Sequence, residues 1–310
     1  MVELINVTKL YKTVIGVNDI TLKLGDGTYG LLGPNGSGKT TLINLIIGQL
    51  RPTMGSVRLF GKNPWTRDGL LRNVGLCPAV EVSYPRVTAY QWVRYLVQLH
   101  GFGAQSATKM ATDALEAVNL AYAMHRPMRE YSLGMRQRAK LAQAIAHQPD
   151  FLILDEPFNG LDPVGRFEMT NYLKAWSQPG KTLILASHIL HEVEAINPSF
   201  LLISGGRLLA SGSPEEVREI LDDAPNVVRI KCTDAKRLSQ KIVELSTTNS
   251  VEFSEDPQQL KITTASAKQL YETLPEISRE LNVSILEMHS ADESLKSLFA
   301  TLLKKHRGEF

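Results

Sequence analysis

Residues 2–7, Val2-Glu3-Leu4-Ile5-Asn6-Val7, form a short β-rich run of mainly apolar side chains that reads as a strand. Similar short runs fall at residues 20–24, 28–32, 56–59 and 201–203. Two runs differ: Phe151-Leu152-Ile153-Leu154 and Thr182-Leu183-Ile184-Leu185-Ala186 are almost continuously apolar. That pattern predicts strands buried on both faces of a parallel sheet. Between the runs the apolar positions recur every three to four residues, which predicts helices over 40–47, 89–100, 107–118, 133–147 and 164–177. Strands alternating with helices predict an α/β domain over roughly the first 220 residues.

The pattern changes near Asp222-Asp223-Ala224-Pro225, where a linker is expected. Beyond it the runs read strand (227–232), helix (235–245), strands (251–253 and 260–263), helix (267–281) and strand (283–287). That βαββαβ order predicts a small ferredoxin-like α+β domain. A last amphipathic helix is expected, with Leu295, Leu298, Phe299, Leu302 and Leu303 on one face and a Ser290/Glu293 capping box. The expected domains are therefore 1–221 and 226–310, and the 310-residue length suits two domains.

Composition narrows the function classes. A chain that is 43% hydrophobic and 21% charged has the material for packed cores, which excludes disorder. The net charge is +2, and residues 226–310 hold 12 basic and 12 acidic side chains, so no nucleic-acid partner is expected. Cys77 and Cys232 lie outside any CxxC or Cys/His cluster, against a zinc site or a disulfide framework. The first residues lack the pattern of a signal peptide, and no apolar run is long enough to cross a bilayer. The chain is expected in the cytoplasm, meeting a membrane only through a partner.

The strongest chemical signal is Gly33-Pro34-Asn35-Gly36-Ser37-Gly38-Lys39-Thr40-Thr41, between a predicted strand and a predicted helix. It matches GxxxxGK[ST] in the required context. Glycine-rich backbone turns its N–H groups toward phosphate, and the helix N-terminus adds positive partial charge. Lys39 can reach the β- and γ-phosphates, and the Thr40 hydroxyl can ligate Mg²⁺. Asp155 and Glu156 follow the apolar run 151–154, at a strand's carboxyl end, where open α/β sheets collect ligands. Asp155 is placed for Mg²⁺ and Glu156 to polarise an attacking water. Ser132 is a candidate cap of the next helix, and Gly134 lets an anion approach its backbone.

This ordered set resembles the nucleotide-binding subunit of ATP-binding-cassette (ABC) transporters over about residues 2–221. The resemblance implies an α/β P-loop NTPase fold with a helical subdomain near 82–147. It makes 33–41 the Walker A loop, Ser132-Leu133-Gly134-Met135 the signature motif, 151–155 Walker B, and Glu156 the catalytic glutamate. Gly160-Leu161-Asp162 becomes the D-loop, His188 the switch histidine that senses the γ-phosphate, and Tyr11 the aromatic stacked on adenine. It further implies ATP and Mg²⁺ as ligands, membrane-spanning subunits as partners, and a head-to-tail pair with a second copy. ATP then lies between Walker A of one copy and the signature motif of the other. The tail resembles the accessory domain of some multidrug and antibiotic exporters, through Ser294-Leu295-Lys296-Ser297-Leu298-Phe299.

Two positions depart from the family pattern. Ala79 stands where a Gln is usual, and cannot ligate Mg²⁺ or orient water; Glu81 is a candidate substitute. Leu133 stands where many members have Gly. Tyr84, Pro85, Tyr90, Trp92 and Tyr95 are either interface or core residues. His147 and His191 are expected on helix surfaces, and Met135 as a contact residue. The reading is the ATPase subunit of an exporter. A soluble ABC ATPase acting on nucleic acid or ribosomes, and an ATP-binding regulator with weak hydrolysis, are the alternatives.

Overall fold

The computed structural model describes residues 1–66, 69–81, 84–196, 199–213, 216, 226–254 and 256–290. The chain divides into two compact units, Met1–Ser213 and Pro214–Phe310. The expected linker at 222–225, the last helix, Glu293 of its capping box and the Ser294-to-Phe299 segment lie outside the described residues.

In the first unit, strands β1 (Val2–Tyr11), β2 (Val14–Leu24) and β4 (Met54–Leu59) form an antiparallel sheet of order β2-β1-β4. A six-stranded sheet joins β3 (Gly27–Leu32), β5 (Val74–Cys77), β6 (Phe151–Asp155), β7 (Thr182–Ser187), β8 (Ser199–Ser204) and β9 (Arg207–Gly212). Its order is β5-β6-β7-β3-β8-β9, parallel except for β9. Every residue of β6 and β7 is buried, as their unbroken apolar runs require. Helix α1 (Lys39–Ile46) sends Leu42, Ile43, Leu45 and Ile46 into one core cluster with side chains from both sheets, Leu4 and Ile20 on one side and Ile153 and Ile184 on the other. The remaining helices are α2 (Ala89–Leu99), α3 (Ala104–Ala117), α4 (Leu133–Ile145), α5 (Pro163–Trp176) and the short α6 (Leu190–Glu194).

The register of the parallel strands sets the working edge of the sheet. Leu32 pairs with Ser187, and Asp155 with Ala186. Gly33, Glu156 and His188 therefore all leave the sheet at the same carboxyl edge.

The second unit runs β10 (Asn226–Cys232), α7 (Ala235–Val243), β11 (Thr248–Phe253), β12 (Gln259–Thr264), α8 (Ala267–Leu281) and β13 (Ile285–Ser290). Its sheet has the order β11-β12-β10-β13, with every pairing antiparallel. Alternate strand residues Val228, Ile230, Leu260 and Ile262 meet the helix stripes Leu238/Ile242 and Leu270/Leu274 in a separate core. The last strand begins two residues later than its apolar run. Asn282 caps α8 in the left-handed conformation (φ 53°), and the Val283 amide still donates to Ser278 O. Among the described residues, no helix is long and apolar enough to cross a membrane.

Candidate functional site

Strand β3 delivers the chain into the 33–41 loop, and α1 leaves from it. Gly36 (φ 78°) and Gly38 (φ 106°) take left-handed backbone angles. A Cβ on Gly38 would lie 2.3 Å from Gly16 O, so the loop packs backbone against backbone there. Gly206 secures it from below, donating to Ser37 O (2.9 Å) and accepting from Asn18 N (2.8 Å). Helix α1 starts with no side-chain cap and no acidic residue in its first turn. Its terminal N–H groups are thus available to an anion.

The Lys39 ammonium donates to Gly33 O (2.7 Å) and Pro34 O (3.3 Å) and stands 3.6 Å from Glu156 Oε1. Thr40 Oγ1 donates to Asp155 Oδ2 at 2.7 Å, across 115 residues of sequence. Asp155 Oδ1 and Ser37 Oγ are buried without a hydrogen-bond partner. Burial holds the Asp155 carboxyl above its usual pKa, against the Thr40 hydrogen bond, with the neighbouring Glu156 charge acting in the same direction as burial. A carboxylate oxygen without a partner beside a threonine hydroxyl fits a divalent cation such as Mg²⁺. The unpartnered Ser37 hydroxyl fits a phosphate oxygen.

Glu156 occupies a left-handed angle (φ 53°) just past β6, and its amide donates to Ala186 O at 2.9 Å. That turn lifts its side chain out of the sheet line, where Oε2 meets His188 Nδ1 at 2.9 Å. The glutamate is 12% exposed and the histidine 37%. Lys39, Glu156 and His188 thus form one contiguous row, with the carboxylate between two nitrogen donors.

A cleft of about 400 Å³ opens beside Lys39 and Glu156. It is lined by the loop residues Asn35 to Thr41, Asp155 and Glu156, with Tyr11, Val14, Ile15, Gly16 and Ala79. Its volume suits a small-molecule ligand. Sequence reasoning did not single out Val14, Ile15 or Gly16. Val14 and Ile15 are exposed apolar residues, and a Cβ on Gly16 would lie 2.7 Å from the Tyr11 ring. An aromatic followed within five residues by two apolar side chains and a glycine was the available signal.

Ser132, Gly134, Asp162 and His188 are not among the residues lining the cleft. Ser132 caps α4, accepting from Met135 N at 3.2 Å. Asp162 caps α5, accepting from Gly165 N at 2.8 Å with Pro163 in the first turn. The two caps lie close together: a Cβ on Gly134 would sit 3.1 Å from Gly160 O, and one on Gly160 would strike Leu133 Cγ at 2.3 Å. Leu133 therefore covers Gly160 and is itself half exposed.

Glu81, the candidate substitute at this loop, does not line the cleft. Its carboxylate accepts from Arg136 Nε on α4. The neighbouring loop is tied to the same helix face. Lys140 Nζ donates to Pro78 O (2.8 Å) and Val80 O (3.4 Å), and Gln143 to Leu76 O. His147 is a correction: it is buried (7% exposed), not on a surface. Its Nε2 lies 3.1 Å from Val74 O, and its ring stacks on His100 at 3.9 Å. The end of α4 tucks under β5, which the helical pattern does not reveal. His191 is exposed. Of the aromatics near α2, Trp92 is core, while Tyr84 and Tyr95 are exposed.

Fold and site together define a P-loop nucleotide-binding unit. Residues 17–159 match the family described as ABC transporter. The chain is 32% identical to an uncharacterized ABC transporter ATP-binding protein of Synechocystis sp., over 98% of this chain and 85% of that one. It is 33% identical to the bacitracin transport ATP-binding protein BcrA of Enterococcus faecalis, over 98% and 96%. It also superposes on the dimeric structure of MJ0796, a bacterial ABC transporter cassette, with a TM-score of 0.64 and 24% identity, covering 69% of this chain and 98% of that one. The chain belongs to the ATP-binding subunits of ABC transporters.

Proposed function

We propose that this subunit hydrolyses ATP between two copies of itself and drives separate membrane-spanning subunits of an exporter from the cytoplasmic face of the membrane. The observation that carries it is the Lys39–Glu156–His188 row at the mouth of the phosphate loop. The loop amides and Lys39 bind the phosphates, exchanging the Gly33 and Pro34 carbonyls for phosphate oxygens. Thr40 and Asp155 would hold Mg²⁺, which supplies neutralisation of phosphate charge when bound. Glu156 accepts the proton of the attacking water, and His188 contacts the γ-phosphate and orients the glutamate. Tyr11 stacks on the adenine.

Ser132 and Gly134 would meet the nucleotide of the second copy, with Asp162 at the same seam. This accords with their absence from the chain's own cleft and with the dimeric cassette to which the fold is similar. Export rests on the similarity to the Nod factor export ATP-binding protein I of Cupriavidus pinatubonensis, 34% identical over 70% of this chain and 67% of that one. The exposed Tyr84 and Tyr95 are the candidate contacts for the membrane subunits. Residues 226–310 act as an accessory domain.

The test is Glu156→Gln. ATP binding should survive, steady phosphate release should fall at least about 100-fold, the scale of a lost general base, and an ATP-bound dimer should accumulate in size-exclusion chromatography. Undiminished phosphate release would overturn the role assigned to Glu156.

A further inference from the structure

His188 is one residue in a short segment that its neighbours hold from behind. Ser187, the buried last residue of β7, donates from Oγ to Glu192 Oε2 (2.9 Å) and accepts from the Ile189 amide (3.0 Å). These two bonds close a ring across His188, fixing the backbone on both sides of it. Glu192 is 6% exposed. Its second carboxylate oxygen faces Arg166 Nη1 on α5 at 3.4 Å. Arg166 Nε in turn donates to Leu161 O at 3.3 Å, beside Asp162. A line of polar contacts therefore runs from the 160–162 turn to the segment bearing His188, with hydrogen bonds at either end and, between Arg166 and Glu192 Oε1, an ion pair that makes no hydrogen bond.

We propose that Glu192 is a positioning residue for His188, and that Arg166 links that positioning to the 160–162 turn. Ser187, Glu192 and Arg166 do not line the nucleotide cleft, so any effect they have on turnover is indirect, and the double-mutant cycle with His188 separates a route through the histidine from one through the 160–162 turn. Removing the Glu192 carboxylate leaves the Ser187 hydroxyl without its acceptor, so the oxygen that holds the Ile189 amide is free to rotate and the imidazole loses its fixed place 2.9 Å from Glu156. Near-ångström displacements of a catalytic group commonly slow a reaction by about 100-fold. The proposal rests on the reading of His188 as a γ-phosphate contact. It adds that the turn expected to face the second copy is wired to the chain's own histidine.

The experiment is a double-mutant cycle on ATP hydrolysis by the full chain, using Glu192→Ala, His188→Ala and both together. Glu192→Ala should lower kcat about 10- to 100-fold with KM for ATP unchanged, and should have no further effect once His188 is Ala. Glu192→Gln, which still accepts from Ser187 but cannot pair with Arg166, should lie between, and Arg166→Gln should match it. These two milder variants carry the cycle if Glu192→Ala does not fold. The ring-nitrogen NMR signals of His188, read without turnover, should shift toward a free imidazole in the Glu192 variants. Wild-type kcat in the Glu192 variants, additive losses, a raised KM or unmoved His188 signals would overturn the inference while leaving the proposed function standing. Equal turnover by wild type and His188→Ala would overturn both.

Discussion

Tyr11 and Gly16 shape one end of the cleft, the end proposed to take the base. The ring lies against the glycine because a side chain there would come within 2.7 Å of it. Base stacking on an aromatic ring is worth about 1–3 kcal/mol. Tyr11→Ala should therefore weaken ATP binding about 10-fold, and Gly16→Val should do the same by displacing the ring. Binding of inorganic triphosphate, measured by calorimetry, should stay at the wild-type level in Tyr11→Ala, because the loop amides and Lys39 are untouched; Gly16→Val also presses on Thr41 and should weaken triphosphate binding as well. Equal losses for ATP and triphosphate in Tyr11→Ala would refute the stacking role. The phosphate loop was legible in the sequence because its chemistry demands fixed residue types at fixed spacing. Val14 and Ile15 were not, because apolar residues on a strand read as core. The pairing of Ser187 with Glu192 was hidden too, since any serine and any glutamate five residues apart look alike until the turn between them is folded.

Helix α4 shows the same contrast at the scale of an element. Its start was legible from the cap Ser132 and the small Gly134. Its outer face was not. Arg136, Gln137, Lys140 and Gln143 read as a solvated polar stripe, yet all four bond to the segment from Leu76 to Glu81. The carbonyls of a strand end need donors, and α4 supplies them with long side chains. The loop carrying Ala79 is thus fastened to the helix capped by Ser132. Just beyond α4, His147 is packed between Val74 O and the His100 ring, with Nδ1 buried and unpartnered. Burial, aided by His100, pushes its pKa down from 6.5 to about 4. The folded protein then binds fewer protons than the unfolded chain between those values, so stability rises with pH across that window. Lowering the pH from 7 to 5 should remove about 2 kcal/mol of folding stability through this group. Urea melts at the two pH values measure it. His147→Gln, which keeps a donor toward Val74 O but cannot titrate, should flatten that part of the pH dependence, and a variant with the full wild-type slope would exclude His147 as its source.

At the scale of the molecule, strand and helix alternation revealed the α/β class, but not which strands are neighbours. β3 lies between β7 and β8, more than a hundred residues later in the chain, and it is this placement that brings Gly33, Glu156 and His188 to one edge. The edge strand β9 was missed: its apolar run is only Leu208 to Ala210, of which Ala210 alone is buried. What matters most for function is that the two units bury separate cores. The cluster built on Leu4, Leu42, Ile153 and Ile184 draws on residues before 204, and the cluster built on Val228, Leu238, Ile262 and Leu270 on residues after 227. Every residue lining the nucleotide cleft belongs to the first unit. A chain ending after Leu221 keeps all of Met1–Ser213 and loses no residue of the first cluster. It should fold cooperatively and bind ATP within about twofold of the full chain, since about 0.4 kcal/mol is the most that such a difference represents. Calorimetric titration of the truncated chain with ATP decides it. A soluble truncation with a cooperative melt but no ATP binding would show that residues beyond 221 complete the site. Retained binding would leave the tail to act on the assembled transporter rather than on the nucleotide.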